Sequence, residues 1–335
     1  MHHADRVLRA GEEMEKRGKP FNTFEPDELD MRLVTELEMD ARQSAYTLAA
    51  KLSLNPSTVA RRMQKLINAK AITIIAVPNP VALGYKTAVL IGLNIRPGKS
   101  LEAAKHIMSL KNVGSLGFHY LSMCTGRYDI LYFTAFRTPV DLLRFVDEEL
   151  TETPDLTDIH VLPALRAVKN SWTHVGSDTG VSLELLDYDL DQSEIDLINQ
   201  LMCSPRESPT SLASKVGMSR LVATKRLQML LDRRVVRVVC IADPVIFGYH
   251  VSAGIMVKVL PGHKIGVVAK ALASYTRIQK VTIIAGLFDL FLHCKFHDIK
   301  EMNNFLVDEL GNVPGIMRHE TLLELGLPDN PFCIV

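Results

Sequence analysis

Cysteine is scarce in this chain and forms no pattern: Cys124, Cys203, Cys240, Cys294 and Cys333 stand far apart, without a C-x-x-C pair. An odd, scattered set excludes a disulfide framework and a thiolate zinc site of the usual spacing, and it reads as thiols in a reducing compartment. An excess of one charge is missing too, since 38 basic and 38 acidic residues give a formal net charge of 0. Any nucleic-acid binding must therefore come from local patches rather than from the field of the whole molecule. No apolar run is long enough to cross a bilayer: the strongest, Val281 to Cys294, is interrupted by Asp289, and the N-terminus has no secretory h-region. A cytoplasmic protein without membrane contact is expected. There is no phosphate-cradling glycine loop and no Ser/His/Asp set that falls into one site. His293, Cys294 and His297 are too close along one strand to converge on an ion, because neighbouring side chains alternate across a sheet. No metal, cofactor or catalytic set is expected.

What is present begins with a helix. Asn55 is a good N-cap and Pro56 suits the first helical position, where a missing N–H costs nothing. Over the next turns Val59, Met63, Leu66 and Ile67 share one face, while Ser57, Arg61, Gln64, Lys65 and Asn68 fall on the other. Upstream, Leu29, Leu33, Val34 and Leu37 predict one amphipathic helix and Tyr46 to Leu52 a second, short one. Three helices with the last basic are the helix-turn-helix pattern. The β-branched run Ala71 to Val77 then leaves as a wing.

Beyond the wing, the order is strand (Thr87 to Ile95), helix (100 to 111), strand (Val113 to Met123), turn, strand (Ile130 to Phe136), helix from Pro139, and strand (Leu156 to Leu165). This βαββαβ order predicts an antiparallel sheet with helices on one face only. The other face needs a partner.

Then the pattern returns. Arg42, Leu48-Ala49, Arg62, Pro80, Gly84-Tyr85 and Pro97-Gly98 match Arg206, Leu212-Ala213, Arg226, Pro244, Gly248-Tyr249 and Pro261-Gly262 at one spacing (206 minus 42 is 164). Further on, Gly126, Asp129 and Pro154 match Gly286, Asp289 and Pro314 at another (286 minus 126 is 160). A constant offset with one loop-sized shift predicts a tandem duplication. The expected fold is α+β, with two copies of a winged helix-turn-helix followed by a ferredoxin-like, ACT-like βαββαβ domain. The boundaries read as an arm (1–24), winged domain (25–79), βαββαβ domain (80–168), linker (169–188), second winged domain (189–243), second βαββαβ domain (244–327) and tail (328–335).

Leu48-Ala49, Val59-x-x-Arg62 and Ile72, followed by a βαββαβ unit with Thr125-Gly126-Arg127-Tyr128-Asp129, resemble the Lrp/AsnC family of transcriptional regulators. The resemblance implies DNA binding by the N-terminal domain, dimerisation through the sheet, and a small effector, often an amino acid, beside the Gly-x-x-Asp turn. Family members normally carry one copy rather than two. Chemistry agrees for the turn: Gly126 permits a close backbone approach, Arg127 can grip a carboxylate and Asp129 can accept from an ammonium. Effector binding is therefore expected at Thr125, Gly126, Arg127, Tyr128 and Asp129, and only in the first copy, because the counterpart is Ala285-Gly286-Leu287-Phe288-Asp289.

Double-stranded DNA is the expected partner, contacted by Ser57, Thr58, Arg61, Arg62 and Lys65, and in the second copy by Arg220, Lys225 and Arg226. Arg62 and Arg226 flank the packed face, which assigns them to phosphate contact or internal pairing. The second reader is weaker, because Ser57, Thr58, Arg61, Lys65 and Asn68 become Leu221, Val222, Lys225, Met229 and Asp232. A homo-oligomer is expected, as a chain-to-chain dimer of duplicated chains. Two alternatives compete: an interaction module without DNA or ligand binding, and an enzyme similar to the siroheme decarboxylases, which share the architecture. Those enzymes carry His-Asn-Tyr and then Asn-Leu-Trp-Phe. This chain has Phe118-His119-Tyr120 and Asp129-Ile130-Leu131-Tyr132, then Ile283-Ile284-Ala285 and Asp289-Leu290-Phe291-Leu292.

Overall fold

The structure is a computed structural model that describes residues 24–110, 120–171 and 189–325. The first half begins with three helices, α1 (Glu28–Met39), α2 (Ala45–Leu52) and α3 (Pro56–Asn68), and strand β1 (Ile72–Pro78). Asp27 caps α1 in a reciprocal box with Asp30, and the Ser44 hydroxyl accepts the Thr47 N–H to start α2. Pro56 opens α3 as expected, but the Asn55 side chain makes no capping bond, so proline alone marks that start. The second half repeats the order with α6 (Gln192–Cys203), α7 (Pro209–Lys215), α8 (Arg220–Asp232) and β6 (Val236–Ala242).

Each wing packs on its own helices and also reaches the other half. β1 and β6 pair antiparallel with each other, from Ile72 opposite Ala242 to Pro78 opposite Val236. Each three-helix core is completed by the other half: Cys240, Ala242 and Phe247 pack into the first, and Ala76 and Ala82 into the second. The two helix-turn-helix units are therefore one body.

The βαββαβ units follow as β2 (Thr87–Ile95), α4 (Ser100–Ser109), β3 (Tyr120–Met123), β4 (Ile130–Phe136), α5 (Pro139–Arg144) and β5 (Leu156–Asn170). Their counterparts are β7 (Val251–Val259), α9 (Ile265–Ala273), β8 (Ile278–Ile284), β9 (Leu290–Phe296), α10 (Ile299–Asn304) and β10 (Ile316–Glu324). The strand order is β5-β2-β4-β3 in one sheet and β10-β7-β9-β8 in the other, the ferredoxin-like arrangement twice. β5 joins β8 along one seam. Across the other seam Cys124 bridges Glu324, Thr125 N–H donates to the Leu323 carbonyl at 2.9 Å, and Leu325 N–H to that of Met123 at 2.8 Å. The eight strands run as one sheet from β10 to β3, and this bridge joins its two ends into a barrel closed at one point.

Closure answers where the uncovered sheet faces go: they cover each other within one chain. Each sheet packs its helices outside, while Leu131, Leu162, Phe291 and Leu322, with Tyr128 and Phe288, fill the space between the sheets. β2 consequently reads as an almost continuous buried run, the mark of a strand covered on both sides. An uncovered face no longer argues for pairing between chains.

Three boundaries shift. β5 runs to Asn170, past the expected domain end at 168, because its last residues pair with β8. The helix from Pro139 is regular only to Arg144 and continues as a wide turn (Phe145–Glu149) and a tight one (Leu150–Glu152). The strand expected from Val113 is described only from Tyr120. Residues 1–23 of the arm, 172–188 of the linker, and the tail lie outside the described residues, as does His119.

Candidate nucleic-acid interface

The face of α3 is laid out as the spacing predicts. Val59 and Leu66 are buried, Met63 and Ile67 half-buried, and Ser57, Arg61, Gln64, Lys65 and Asn68 exposed, with Thr58 half-buried at the edge. Gln64 Nε2 donates to Asn68 Oδ1 at 2.8 Å, and Lys65 Nζ lies 4.8 Å from the centre of the Phe24 ring. Among the described residues Arg61 carries no ion pair, so its guanidinium is available to a ligand.

Arg62 is not part of that face. Its Nη1 donates to Asp27 at 2.7 and 2.9 Å and to Asp30 at 2.7 Å, tying the middle of α3 to the capped start of α1. Hydrogen bonding to Asp27 and Asp30 raises the Arg62 pKa, and the same bond to Arg62 holds the Asp27 carboxyl below the usual range. Arg226 repeats the device with Asp191 and, at 2.6 Å, Ser193. Of the two roles open to these arginines, internal pairing is the one seen here.

On α8, Arg220, Thr224, Lys225, Gln228 and Asp232 are exposed and Ala223, Leu227 and Leu230 buried. Leu231 is half-buried. At its start Leu221 is 67% exposed and Val222 43%, apolar surface where the first copy offers hydroxyls. Arg220 and Lys225 are thus the exposed cations of the sequence-predicted set on this helix.

The spacing of the two units is held by a pair of arginines that recurred in the sequence without an assigned role. Arg42 donates to the carbonyls of Pro205 (2.6 Å) and Glu207 (3.0 Å). Arg206 donates to those of Ala41 (2.8 Å) and Gln43 (2.7 Å). Each guanidinium thus grips the loop that carries the other, and burial lowers the pKa of both.

The turn expected to bind the effector also joins the halves. Arg127 forms a bidentate pair with Glu320 of β10, Nε to Oε2 at 2.6 Å and Nη2 to Oε1 at 2.8 Å. Tyr128 is 1% exposed and lies under Gly92, whose hypothetical Cβ would fall 2.6 Å from its ring. Asp129 Oδ2 accepts the Ile95 N–H at 2.8 Å. Gly126 has φ +106° and a Cβ there would lie 3.1 Å from Leu322 Cδ2. Thr125 is exposed and bonded through its N–H to β10. The turn lies at a seam between the two sheets, where the carboxylate on Arg127 is that of the chain's own Glu320. Leu287 in the second copy is 48% exposed and offers no such grip.

Sequence reading set His293 aside and missed its surroundings. At one end of the barrel interior, His293 Nε2 lies 3.2 Å from Glu324 Oε2, the Tyr120 ring is 5.5 Å from the imidazole, and Lys280 Nζ is 5.3 Å from the Tyr120 ring. Lys295, 2% exposed, follows His293 on the same face of β9. Burial lowers Lys280 to about 8 and Lys295 to about 7. Burial opposes ionisation of Glu324, but His293 and the neighbouring donors hold its pKa below the usual carboxylate value. A polar residue at every second place of an apolar strand was the signal available. Among the described residues no group of three or more His, Cys, Asp or Glu is placed to hold a metal.

Two helix-turn-helix units on a joined pair of ferredoxin-like sheets make up the architecture. The chain belongs to the Lrp/AsnC family. The AsnC-type helix-turn-helix model matches residues 27–67 and the Lrp/AsnC ligand binding domain model residues 252–326. An uncharacterised HTH-type transcriptional regulator of Pyrococcus furiosus is 30% identical over 142 residues, 40% of this chain and 93% of that protein. The HTH-type transcriptional regulator FL11 of Pyrococcus horikoshii is 31% identical over 130 residues, 38% of this chain and 85% of its own length. In fold, the crystal structure of the siroheme decarboxylase NirDL covers 89% of this chain and 91% of its own, at a TM-score of 0.60 and 16% identity. Among the described residues no helix is long and apolar enough to cross a membrane.

Proposed function

We propose that this protein is a transcription regulator in which one chain supplies both DNA-reading helices, that it reads bases with α3 and holds phosphates with α8, and that an amino-acid-like effector modulates it. One observation carries the reading: Ser57, Arg61, Gln64, Lys65 and Asn68 form an exposed row on a helix whose tilt is fixed from behind by Arg62. A row held in this way meets a groove at low entropic cost.

Operator titration at several salt concentrations tests it. Arg61→Ala costs roughly 1–3 kcal/mol and relaxes sequence preference, whereas Lys225→Ala weakens all sequences alike and lowers the salt slope by about 1. Loss of sequence preference in Lys225→Ala alone would reverse the assignment. Absence of DNA binding at low salt favours the interaction module instead. The siroheme decarboxylase alternative is tested by incubation with siroheme followed by absorbance.

A further inference from the structure

The outward row of α8 repeats that of α3 with one change of chemistry. Ser57, Arg61, Gln64 and Asn68 stand in line on α3, and the spacing of 164 (221 minus 57) puts Leu221, Lys225, Gln228 and Asp232 in the same line on α8. The second row therefore opens on an aliphatic side chain where the first has a hydroxyl. Leu221 is 67% exposed, the most exposed of the large aliphatic side chains among the described residues, and Val222 beside it is 43% exposed.

Place gives this exposure its meaning. Single apolar residues on a surface are ordinary, but these two occupy the first turn of the helix, the part of a reading helix that reaches base edges. Ser219 caps that turn by accepting the Val222 N–H at 3.3 Å, so the backbone that carries them is set. Polar groups further along are turned onto the helix itself: Thr224 Oγ1 donates to the Arg220 carbonyl at 2.8 Å, and Gln228 Nε2 to Asp232 Oδ1 at 2.8 Å. Arg220 precedes Leu221 and Lys225 follows it by one turn, and both are exposed.

An apolar protein groove would accept Leu221 and Val222 but gain nothing from the cations around them. A bare phosphate backbone would take the cations and leave the aliphatic pair in water. A DNA duplex satisfies both, because one group on the base edges of the major groove is apolar, the C5-methyl of thymine. Every other group there is a donor or an acceptor, which a leucine strips of water without replacing it.

We propose that Leu221, with Val222 beside it, reads thymine methyl groups in the major groove while Arg220 and Lys225 hold the flanking phosphates. α8 then contributes a methyl preference without a hydrogen-bonded base contact, and α3 keeps the reading of donors and acceptors. The inference rests on the DNA-reading function proposed above and adds to it the base group that the second helix selects.

The test uses the full chain and duplexes that it selects from a randomised pool at low salt. The flank that α8 covers is the one whose hydroxyl-radical footprint weakens in Lys225→Ala. Deoxyuridine then replaces thymine in that flank, which removes the methyl group and leaves base pairing and backbone unchanged. Binding weakens roughly fourfold for each methyl contacted, the value of one buried carbon. The ratio is the same at low and high salt, because that contact releases no counterion. In Leu221→Ala the thymine and uracil duplexes bind nearly alike, and so they do in Leu221→Ser, which installs the residue found at the matching place of α3. Equal affinity for the two duplexes in the unaltered chain overturns the inference and spares the regulator reading, as does a thymine preference undiminished in both Leu221 variants. Absence of duplex binding at low salt overturns the reading and the inference together. Thermal melts check that the variants keep the fold, and the comparison of the two duplexes on the unaltered chain decides without any variant.

Discussion

Replacing Arg42 with alanine removes two hydrogen bonds that cross between the helix-turn-helix units, to Pro205 at 2.6 Å and Glu207 at 3.0 Å. A hydrogen bond from a charged donor is worth roughly 1.5–3 kcal/mol. Both come from one half-buried side chain, and removing it also relieves the repulsion from Arg206. The expected loss is therefore about 2–3 kcal/mol rather than the sum of two full bonds. Arg206→Ala costs a similar amount through Ala41 and Gln43. Each arginine holds the loop on which the other stands, so the first removal frees the target of the second. The double variant loses less than the two singles together, by about 1 kcal/mol of coupling. Urea unfolding of the four proteins measures this cycle, and Arg42→Lys, which keeps the charge without the fork, recovers only part. Operator affinity falls in the singles as well, because the distance between α3 and α8 loosens. Additive losses, or singles below about 0.5 kcal/mol, would refute the reciprocal grip.

Other perturbations follow from the barrel. Gly126→Ala destabilises by about 1–3 kcal/mol because of positive φ and contact with Leu322 and Thr321, whereas Gly98→Ala, with φ +80° and no atom within 4 Å of its Cβ, costs less; equal losses in thermal melts contradict the seam. Because the sheet faces cover each other in cis, the unfolding midpoint stays constant over a wide range of protein concentration; a midpoint that climbs with concentration shows that the barrel closes between chains. Stability rises with pH between about 7 and 9, by roughly 2–4 kcal/mol. Lys295 at about 7 and Lys280 at about 8 lie below their unfolded values, so the unfolded chain binds more protons in that window. Denaturant melts at the two pH values measure it, Lys295→Met flattens the rise, and a fall would reverse the burial assignment. Arg127→Ala destabilises by no more than about 1 kcal/mol, since the pair with Glu320 is about one-third exposed, and Leu287→Ala leaves stability nearly unchanged.

Local order was legible because local rules set it. Pro56, the periodicity of Val59 and Leu66, and the β-branched run from Ile72 fix the first unit, and the repeated Pro-Gly pairs announce the second. What stayed hidden depends on contacts between residues far apart in the chain. Nothing near Ile72 specifies that it pairs with Ala242, or that Arg127 meets Glu320. Asp129 looks the same in sequence whether it awaits an ammonium or, as here, accepts a backbone N–H. His293 was discounted as one of three adjacent ligands, whereas its neighbours across the sheets, Tyr120 and Glu324, come from other strands.

The seam at which β1 meets β6 lies within one polypeptide, and that frees the molecule from obligate symmetry. In an assembly of identical subunits, any change to a reading helix appears in every copy at once. Here Arg61 and Lys225 occupy equivalent places and are encoded separately. On the function proposed above, one side sharpens its discrimination while the other keeps chiefly a hold on the backbone, so the DNA site expected for this chain carries most of its information on one flank and has a direction.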